Sequence, residues 1–362
     1  MAKRMMITEL YNPTEKGFGA ADLDLVLVHG LDGDPKETWR HAGNEKSWPE
    51  EFLPAVRPRT RVLSFGYNGD IFRNDSAAGI RGNARALLMH LGAHRDGADA
   101  RNRPIVFVAH CLGGLIVKQA LCFASREAEL RPISQATRGV FFFGTPHFRS
   151  VKNQWRRIAK DLAPLSRTAG RGLRGKQSSL VDAITRDAVQ LTEICEDFAD
   201  ISQAPLQIVS FYETGHWPGT GSCIVDESSA RMGFANEQPV PVADDHVGIC
   251  RFNDEKDGTF KIVCQQIRKV LGEVESGVSS AVGMPNSSGV AWPVASVSNT
   301  ATIGATAASH VTERVRVIEY VREIPGLPAE GGGRVFEEPS VPGRRTGRNA
   351  ETFPAGTYRK VD

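Results

Sequence analysis

The sequence predicts an α/β protein with a mostly parallel sheet flanked by helices. Between about residues 24 and 271, short apolar runs rich in β-branched and aromatic residues alternate with longer helical stretches, and this alternation is typical of parallel sheets. Two of the runs, VFVA at 106–109 and VFFF at 140–143, are continuously apolar. Strands that helices cover on both faces have this composition, whereas half-exposed strands alternate apolar and polar residues.

The predicted strands all lie in one large domain of residues 21–274, which follows an N-terminal extension of residues 1–20. In chain order, the strands are predicted at residues 25–28, 61–65, 105–109, 139–143, 206–212 and 223–226. About sixty residues separate the fourth strand from the fifth and have a helical pattern. Inserts of this size between two strands often cover a site at the end of a sheet, so residues 150–205 are interpreted as a lid-like insert.

Composition and charge exclude several classes of protein. The chain has 44 Lys and Arg against 42 Asp and Glu, a net charge of +2, which argues against nucleic-acid binding over the whole molecule. No apolar run reaches the roughly 18–20 residues that span a bilayer, and the N-terminal residues lack the apolar stretch of a signal peptide. The six cysteines form no CxxC pair and no zinc-type cluster. We therefore expect a cytoplasmic protein with free thiols and no metal or organic cofactor.

Two segments differ in composition from the rest. Residues 149–176 contain nine Lys or Arg and a single acid, Asp161, a net charge of 9 − 1 = +8; this basic insert is either a solvated helical face or a lid that attracts anionic headgroups at a membrane surface. Residues 275–362 are rich in Ser, Ala, Gly, Val and Pro and are predicted to be largely disordered. This tail is either a linker or a segment that engages a partner by strand addition, through the alternating sequence at 313–324.

The stretch PIVFVAHCLGGLIVKQALCFAS carries the chemistry. It predicts a strand, a tight turn and a helix that opens with Gly113 and Gly114, which is the context of the nucleophile elbow G-x-S-x-G. Here the elbow reads Ala109-His110-Cys111-Leu112-Gly113, so Cys111 stands at the nucleophile position. A thiolate at a helix N-terminus is a good nucleophile, although a free cysteine is more often one more small buried residue.

Acyl transfer also requires backbone amides that bind the oxyanion. The amide of Leu112, directly after the nucleophile, is one candidate. The other is the amide of Leu31, in the turn that leaves the first predicted strand. The neighbouring His29 is interpreted as a residue that hydrogen-bonds this turn.

The general base is expected downstream of the nucleophile and the acid, because hydrolases of this type use the order nucleophile, acid, histidine. His216 and His246 fit this order, and His246 is preferred because it follows the last predicted strand. Glu213 ends the second strand after the elbow, where the orienting carboxylate belongs. Asp226 is the rival acid, whereas Asp244 and Asp245 are interpreted as turn caps.

As a set, these motifs resemble a fungal group of α/β hydrolases related to serine-active-site-containing protein and, more distantly, to lipases of the GPI inositol-deacylase type. The resemblance covers roughly residues 20–270 and implies the α/β-hydrolase fold, with a serine usually standing where this chain has Cys111. It further implies hydrolysis of esters of lipid or acyl type and, for some relatives, association with mitochondria or the endoplasmic reticulum. The motifs are VLVHGLDGDPKETW at 26–39, SFGYNGD at 64–70, AHCLGGLIVKQAL at 109–121, GVFFFGTPH at 139–147, SFYET at 210–214, IVDESSA at 224–230 and DDHVGICRF at 244–252.

Two functions follow as hypotheses. In the first, the protein hydrolyses an acyl ester, thioester or lipid: Cys111 attacks the carbonyl, His246 transfers the proton and Glu213 orients His246. The same acyl-enzyme also permits a transacylase. In the second, the α/β-hydrolase fold and its pocket are kept for binding or signalling without efficient turnover.

Overall fold

The computed structural model describes residues 5–67, 76–147, 152–165, 173–202 and 206–272. These residues build a seven-stranded sheet with the strand order β1-β3-β2-β4-β5-β6-β7. All neighbouring strands are parallel except the antiparallel pair β1 and β3. The strands are β1 (Met6–Tyr11), β2 (Leu23–Val28), β3 (Thr60–Gly66), β4 (Ile105–His110), β5 (Thr137–Phe143), β6 (Gln207–Glu213) and β7 (Glu237–Val242). The α/β-hydrolase fold is therefore confirmed.

Helices cover both faces of this sheet. Their bounds are α1 (Leu53–Val56), α2 (Ser76–His94), α3 (Ala98–Arg101), α4 (Gly113–Arg126), α5 (Arg131–Ala136), α6 (Lys152–Leu162), α7 (Leu173–Arg186), α8 (Ala188–Ile201), α9 (Glu227–Ala230) and α10 (Gly258–Val270). Successive residues of a strand point to opposite faces: Val26 and Val28 pack in the core with α2, α4 and α8, while Leu25 and Leu27 pack in the core with α10. This two-sided burial explains why the central strands are continuously apolar.

The position of the site follows from the strand order. After β2 the chain turns outward to β3, whereas after β4 it continues in the opposite direction to β5. Parallel α/β sheets bind ligands at the carboxyl ends of the strands where the order reverses. The loop after β2 and the turn after β4 meet at this place, so the fold brings Leu31 and Cys111 to one crevice.

Two edge strands differ from the prediction. Residues 6–11, which were assigned to an N-terminal extension, form β1 and pair with β3. Residues 223–226 are not a strand; Ile224 and Val225 are buried in a loop between β6 and α9. The last strand is instead β7, which contains Pro239 and Pro241. Proline removes a ladder donor and is tolerated at an edge strand, and β7 forms one edge of the sheet.

The insert is helical in its described parts, as predicted. Helix α6 buries Trp155 and Ile158, and its Arg157 pairs with Asp226 at 2.9 Å and also donates to Ser229. Arg156 and Lys160 are exposed. Residues 150–151, 166–172 and 203–205 of the insert and the whole tail from 273 onward lie outside the described residues. In the described part of the chain, no helix has the length and apolar character needed to cross a bilayer.

Candidate active site

Cys111 lies at a strained turn between β4 and α4. Its φ of 53° is in the left-handed region, which costs a non-glycine residue of order 1–3 kcal/mol and is concentrated at functional sites. The close packing of the turn explains the glycine that follows, because a Cβ at Gly113 would overlap the carbonyl oxygen of His29. The turn therefore has the geometry of a nucleophile elbow, with Cys111 at its apex.

The neighbouring strand β5 holds this turn in place. The Cys111 amide donates to the Phe143 carbonyl oxygen at 2.9 Å, and the Thr145 hydroxyl donates to the Cys111 carbonyl oxygen at 2.9 Å. Both main-chain polar groups of the nucleophile are thus satisfied by the end of β5. Thr145 was not among the predicted site residues, and the only signal for it in the sequence is the GTPH stretch after β5.

Glu213 and His246 meet as a buried pair. The Nδ1 atom of His246 lies 2.7 Å from Glu213 Oε2, and both side chains are fully shielded from solvent. The other carboxylate oxygen, Oε1, accepts a hydrogen bond from the Val225 amide at 2.6 Å. The apolar stretch that resembled a strand in the sequence therefore serves to bury and fix Glu213.

The second ring nitrogen of His246 faces the nucleophile. Nε2 is buried and makes no well-directed hydrogen bond to a described residue. Burial lowers the pKa of His246, but the Cys111 thiol and the Glu213 carboxylate outweigh it and raise this pKa to about 10. The imidazole is therefore stabilised in its protonated form between the Glu213 carboxylate and the Cys111 sulfur.

The absence of a side chain at Gly144 makes room for the His246 ring. Its φ is +56°, and a Cβ at this position would lie 2.9 Å from His246 Cε1. Its amide donates to the Phe211 carbonyl oxygen at 2.9 Å. The end of β5 thus contacts both the nucleophile, through Thr145, and the histidine.

The two predicted oxyanion donors border the crevice. Leu112 directly precedes α4, and Leu31 follows β2. Neither amide donates a hydrogen bond to another described residue. Leu31 and Cys111 line a cavity of about 70 Å³, which shares Val247 with a neighbouring cavity of about 610 Å³.

The structure places the rival residues elsewhere. Asp226 caps α9 through the Ser229 amide and pairs with Arg157, and His216 is exposed. Asp245 accepts from the Val247 and Gly248 amides and so caps a turn, as predicted.

His29 hydrogen-bonds its own turn, as predicted. Its Nδ1 donates to the Gly30 carbonyl oxygen at 3.0 Å. Its ring stacks on Tyr67 with the two centroids 4.1 Å apart. His29 therefore shapes the loop that carries Leu31.

A model of the family "Putative serine esterase (DUF676)" matches residues 22–208, just over half of the chain. The chain belongs to this family. Its membership supports an α/β hydrolase of the esterase type. The matched range contains Leu31, Cys111 and Leu112 but ends before Glu213 and His246, so the pairing of the acid with the histidine rests on the structure alone.

Curated relatives of this esterase-family chain include Protein SERAC1 of Danio rerio, which is 26% identical over 272 residues, and Protein SERAC1 of Homo sapiens, which is 27% identical over 278 residues. Both alignments cover 69% of this chain but only 39% of the relative. The chain thus spans about two-fifths of the length of the curated relatives it matches.

Solved structures are less similar. A carboxylesterase of the Thaumarchaeon Nitrososphaera gargenis is 13% identical, with a TM-score of 0.41 over 75% of this chain and 96% of that one. An esterase from Thermogutta terrifontis is also 13% identical, with a TM-score of 0.39 over 74% of this chain and 94% of that one.

Proposed function

We propose that the protein hydrolyses a carboxylic ester or thioester through Cys111, His246 and Glu213. The observation that carries this proposal is the buried Glu213–His246 hydrogen bond of 2.7 Å, together with the interaction of the same imidazole with a cysteine at a strained elbow. A nucleophile, a base and a group that orients the base are the three parts of a nucleophilic triad.

Acylation begins when the Cys111 sulfur, having passed its proton to His246 Nε2, attacks the substrate carbonyl carbon. The negative charge that develops on the carbonyl oxygen is bound by the amides of Leu31 and Leu112, which have no hydrogen bond to other described residues. His246 Nε2 then gives its proton to the leaving alcohol or thiol as the tetrahedral intermediate collapses. The product of this half-reaction is a thioester between Cys111 and the acyl group.

Deacylation reverses the roles. His246 takes a proton from water as the oxygen of that water attacks the thioester carbon, and the Cys111 sulfur leaves as the free acid forms. Glu213 keeps its negative charge throughout and stabilises the His246 imidazolium, which is consumed when the leaving group is protonated and restored when water attacks. An alcohol or thiol in place of water would give acyl transfer with the same residues.

The nucleophile favours activated acyl groups. A thiolate attacks carbonyl carbon well, and thiols are good leaving groups, so thioesters, activated esters and small lactones suit the site best. An acyl or lipid substrate would bring its leaving group through the larger neighbouring cavity, which is lined in part by Trp217 and Arg251. The exposed Arg156 and Lys160 of the basic insert offer a contact for an anionic membrane surface, at the mitochondrion or the endoplasmic reticulum.

The test measures hydrolysis of a panel of acyl thioesters and activated esters by the wild-type protein. Cys111→Ala is expected to abolish turnover, whereas the control Cys122→Ala, which removes another buried thiol from α4, is expected to retain it. Cys111→Ser tests whether the site is adapted to a cysteine nucleophile. If it is, the serine variant is less active than the wild-type protein. Folded wild-type protein without turnover, together with a serine variant that gains it, would instead support the binding-module hypothesis.

A further inference from the structure

His110 joins the nucleophile elbow to the loop that carries His246. It is the last residue of β4 and directly precedes Cys111. Its Nε2 lies 2.7 Å from the main-chain carbonyl oxygen of His246, 136 residues further along the chain. The two imidazole rings are 5.0 Å apart, and His110 borders the same small cavity as Cys111.

The protonation state of His110 follows from its partner. A carbonyl oxygen only accepts hydrogen bonds, so the Nε2 atom of His110 carries the proton and donates it. Burial and the neighbouring His246 lower the pKa of His110 to about 3, and the charged or titratable groups Arg251 and His29 act in the same direction. His110 is therefore neutral at ordinary pH and adds no positive charge beside the His246 imidazolium.

His246 has two kinds of anchor. Glu213 holds the ring at Nδ1, which fixes one end of the imidazole. The main chain is held by the hydrogen bond from His110 and by the turn that Asp245 caps. Because His110 ends β4 and is bonded directly to Cys111, a movement of the elbow moves the donor that holds His246.

We propose that His110 is a positioning residue that keeps the His246 imidazole within reach of the Cys111 sulfur by fixing the His246 main chain to the nucleophile elbow. This inference rests on the proposed function for its kinetic consequence, since it assigns His246 as the proton carrier. Its structural consequence is independent of turnover: without the hydrogen bond, the imidazole moves away from the sulfur.

Three substitutions separate the hydrogen bond from the volume of the ring. In His110→Gln, the side-chain amide nitrogen takes the place of Nε2 and can still donate to the His246 carbonyl oxygen. In His110→Asn, the same amide is one methylene shorter and falls short of that oxygen. His110→Leu fills part of the space and has no donor. Thermal unfolding of all three variants identifies those that fold.

The first readout is the pKa of the His246 imidazole, measured by NMR titration of the ring. The titratable groups that face this ring are Cys111, Glu213 and His110, and His110 is neutral over the range in which His246 titrates. The wild-type pKa is raised because the sulfur is close, so His110→Leu and His110→Asn are expected to lower it by about one unit, while His110→Gln keeps it. The second readout is turnover: kcat is expected to fall about 10-fold in the Leu and Asn variants with little change in KM, and the alkaline limb of the pH profile moves to lower pH.

Three results would overturn the proposal. The first is a folded His110→Leu protein in which the pKa of His246 is that of the wild type. The second is an equal loss of kcat in the Gln and Leu variants. The third is failure of both the Leu and Asn variants to fold, which would assign His110 a role in stability alone. Absence of turnover in the wild-type protein contradicts the proposed function instead, and the NMR titration still decides the position of His246.

Discussion

Glu213 acts on His246 through one hydrogen bond and one charge. Glu213→Gln keeps an acceptor for the Val225 amide but removes the charge that raises the pKa of His246. It also presents an N–H to Nδ1 in one orientation of the amide, which favours the wrong tautomer. We expect kcat to fall about 10²- to 10⁴-fold with a nearly unchanged unfolding midpoint.

The matched control for that substitution is Asp226→Asn. The Asp226 carboxylate contacts Ser228, Ser229 and Arg157 and does not contact His246. Its loss is expected to leave kcat within about 2-fold, since it removes a cap that contributes about 1 kcal/mol of stability and no catalytic contact. A larger loss of kcat from Asp226→Asn than from Glu213→Gln would reverse the assignment of the acid.

Gly144 and Gly219 allow a second comparison between single residues. Both have positive φ, at +56° and +82°, so alanine at either position costs about 1–2 kcal/mol of stability. Only the Cβ at Gly144 approaches His246, whereas nothing lies within 4 Å of one at Gly219. Gly144→Ala is therefore expected to reduce kcat at least about 10-fold, whereas Gly219→Ala is expected to retain activity. Steady-state kinetics and thermal unfolding are measured for both variants. Equal activities of the two variants would contradict the role of Gly144.

The sequence predicts the residues whose signal is local. Cys111 falls in a strand–turn–helix pattern, and Glu213 and His246 follow from chain order and strand ends. His110 and Thr145 could not be predicted in the same way, because their roles depend on contacts with His246 and Cys111 that are 136 and 34 residues distant in sequence. Such contacts become apparent only when the strand order is known.

At the scale of elements, the interior of the sheet is easier to predict than its edges. The central strands are buried on both faces and have a continuous apolar signal, whereas β1 alternates and β7 contains two prolines. The apolar residues 224 and 225 suggested a strand because burial alone does not distinguish a strand from a buried loop. The location of His246 after the last strand was nevertheless correct, because the loop that follows β7 reaches the same end of the sheet.

One buried ion cluster links β2 to β3 and to the loops around α3. The Asp24 carboxylate is fully buried and binds the guanidinium groups of Arg61, Arg95 and Arg103. Asp24→Asn leaves Arg95 and Arg103 without this counter-charge and Arg61 with only the 3.9 Å pair to Glu9. We therefore expect a loss of about 3–5 kcal/mol in the free energy of unfolding, measured with urea.

The control for this cluster is an exposed pair of the same chemistry. Glu127 pairs with Arg85 at 3.0 Å on the surface, where the two side chains are 39% and 55% exposed. Glu127→Gln is expected to cost less than about 1 kcal/mol. Equal losses from Asp24→Asn and Glu127→Gln would show that burial does not set the strength of the Asp24 cluster.

For the whole molecule, the reversal of strand order determines where chemistry can occur. The end of β6 carries the acid, and the segments after β2, β4, β5 and β7 carry the oxyanion amide, the nucleophile, its anchor and the histidine. All of them lie at the carboxyl end of one sheet. Residues that lie up to 215 positions apart, from Leu31 to His246, thus belong to one crevice. The sheet is buried on both faces, and this packing fixes the positions of the strand ends on which a preorganised site depends.

The central claim is that Cys111 forms a covalent acyl-enzyme, and intact-protein mass spectrometry tests it most directly. The protein is mixed with a small acyl thioester, quenched in acid at short times and compared with Cys111→Ala. We expect a mass increase of one acyl group that appears in the wild type, is absent from Cys111→Ala and decays as free acid accumulates. Folded wild-type protein that releases acid without an adduct on Cys111, or an adduct that persists in Cys111→Ala, would contradict the account.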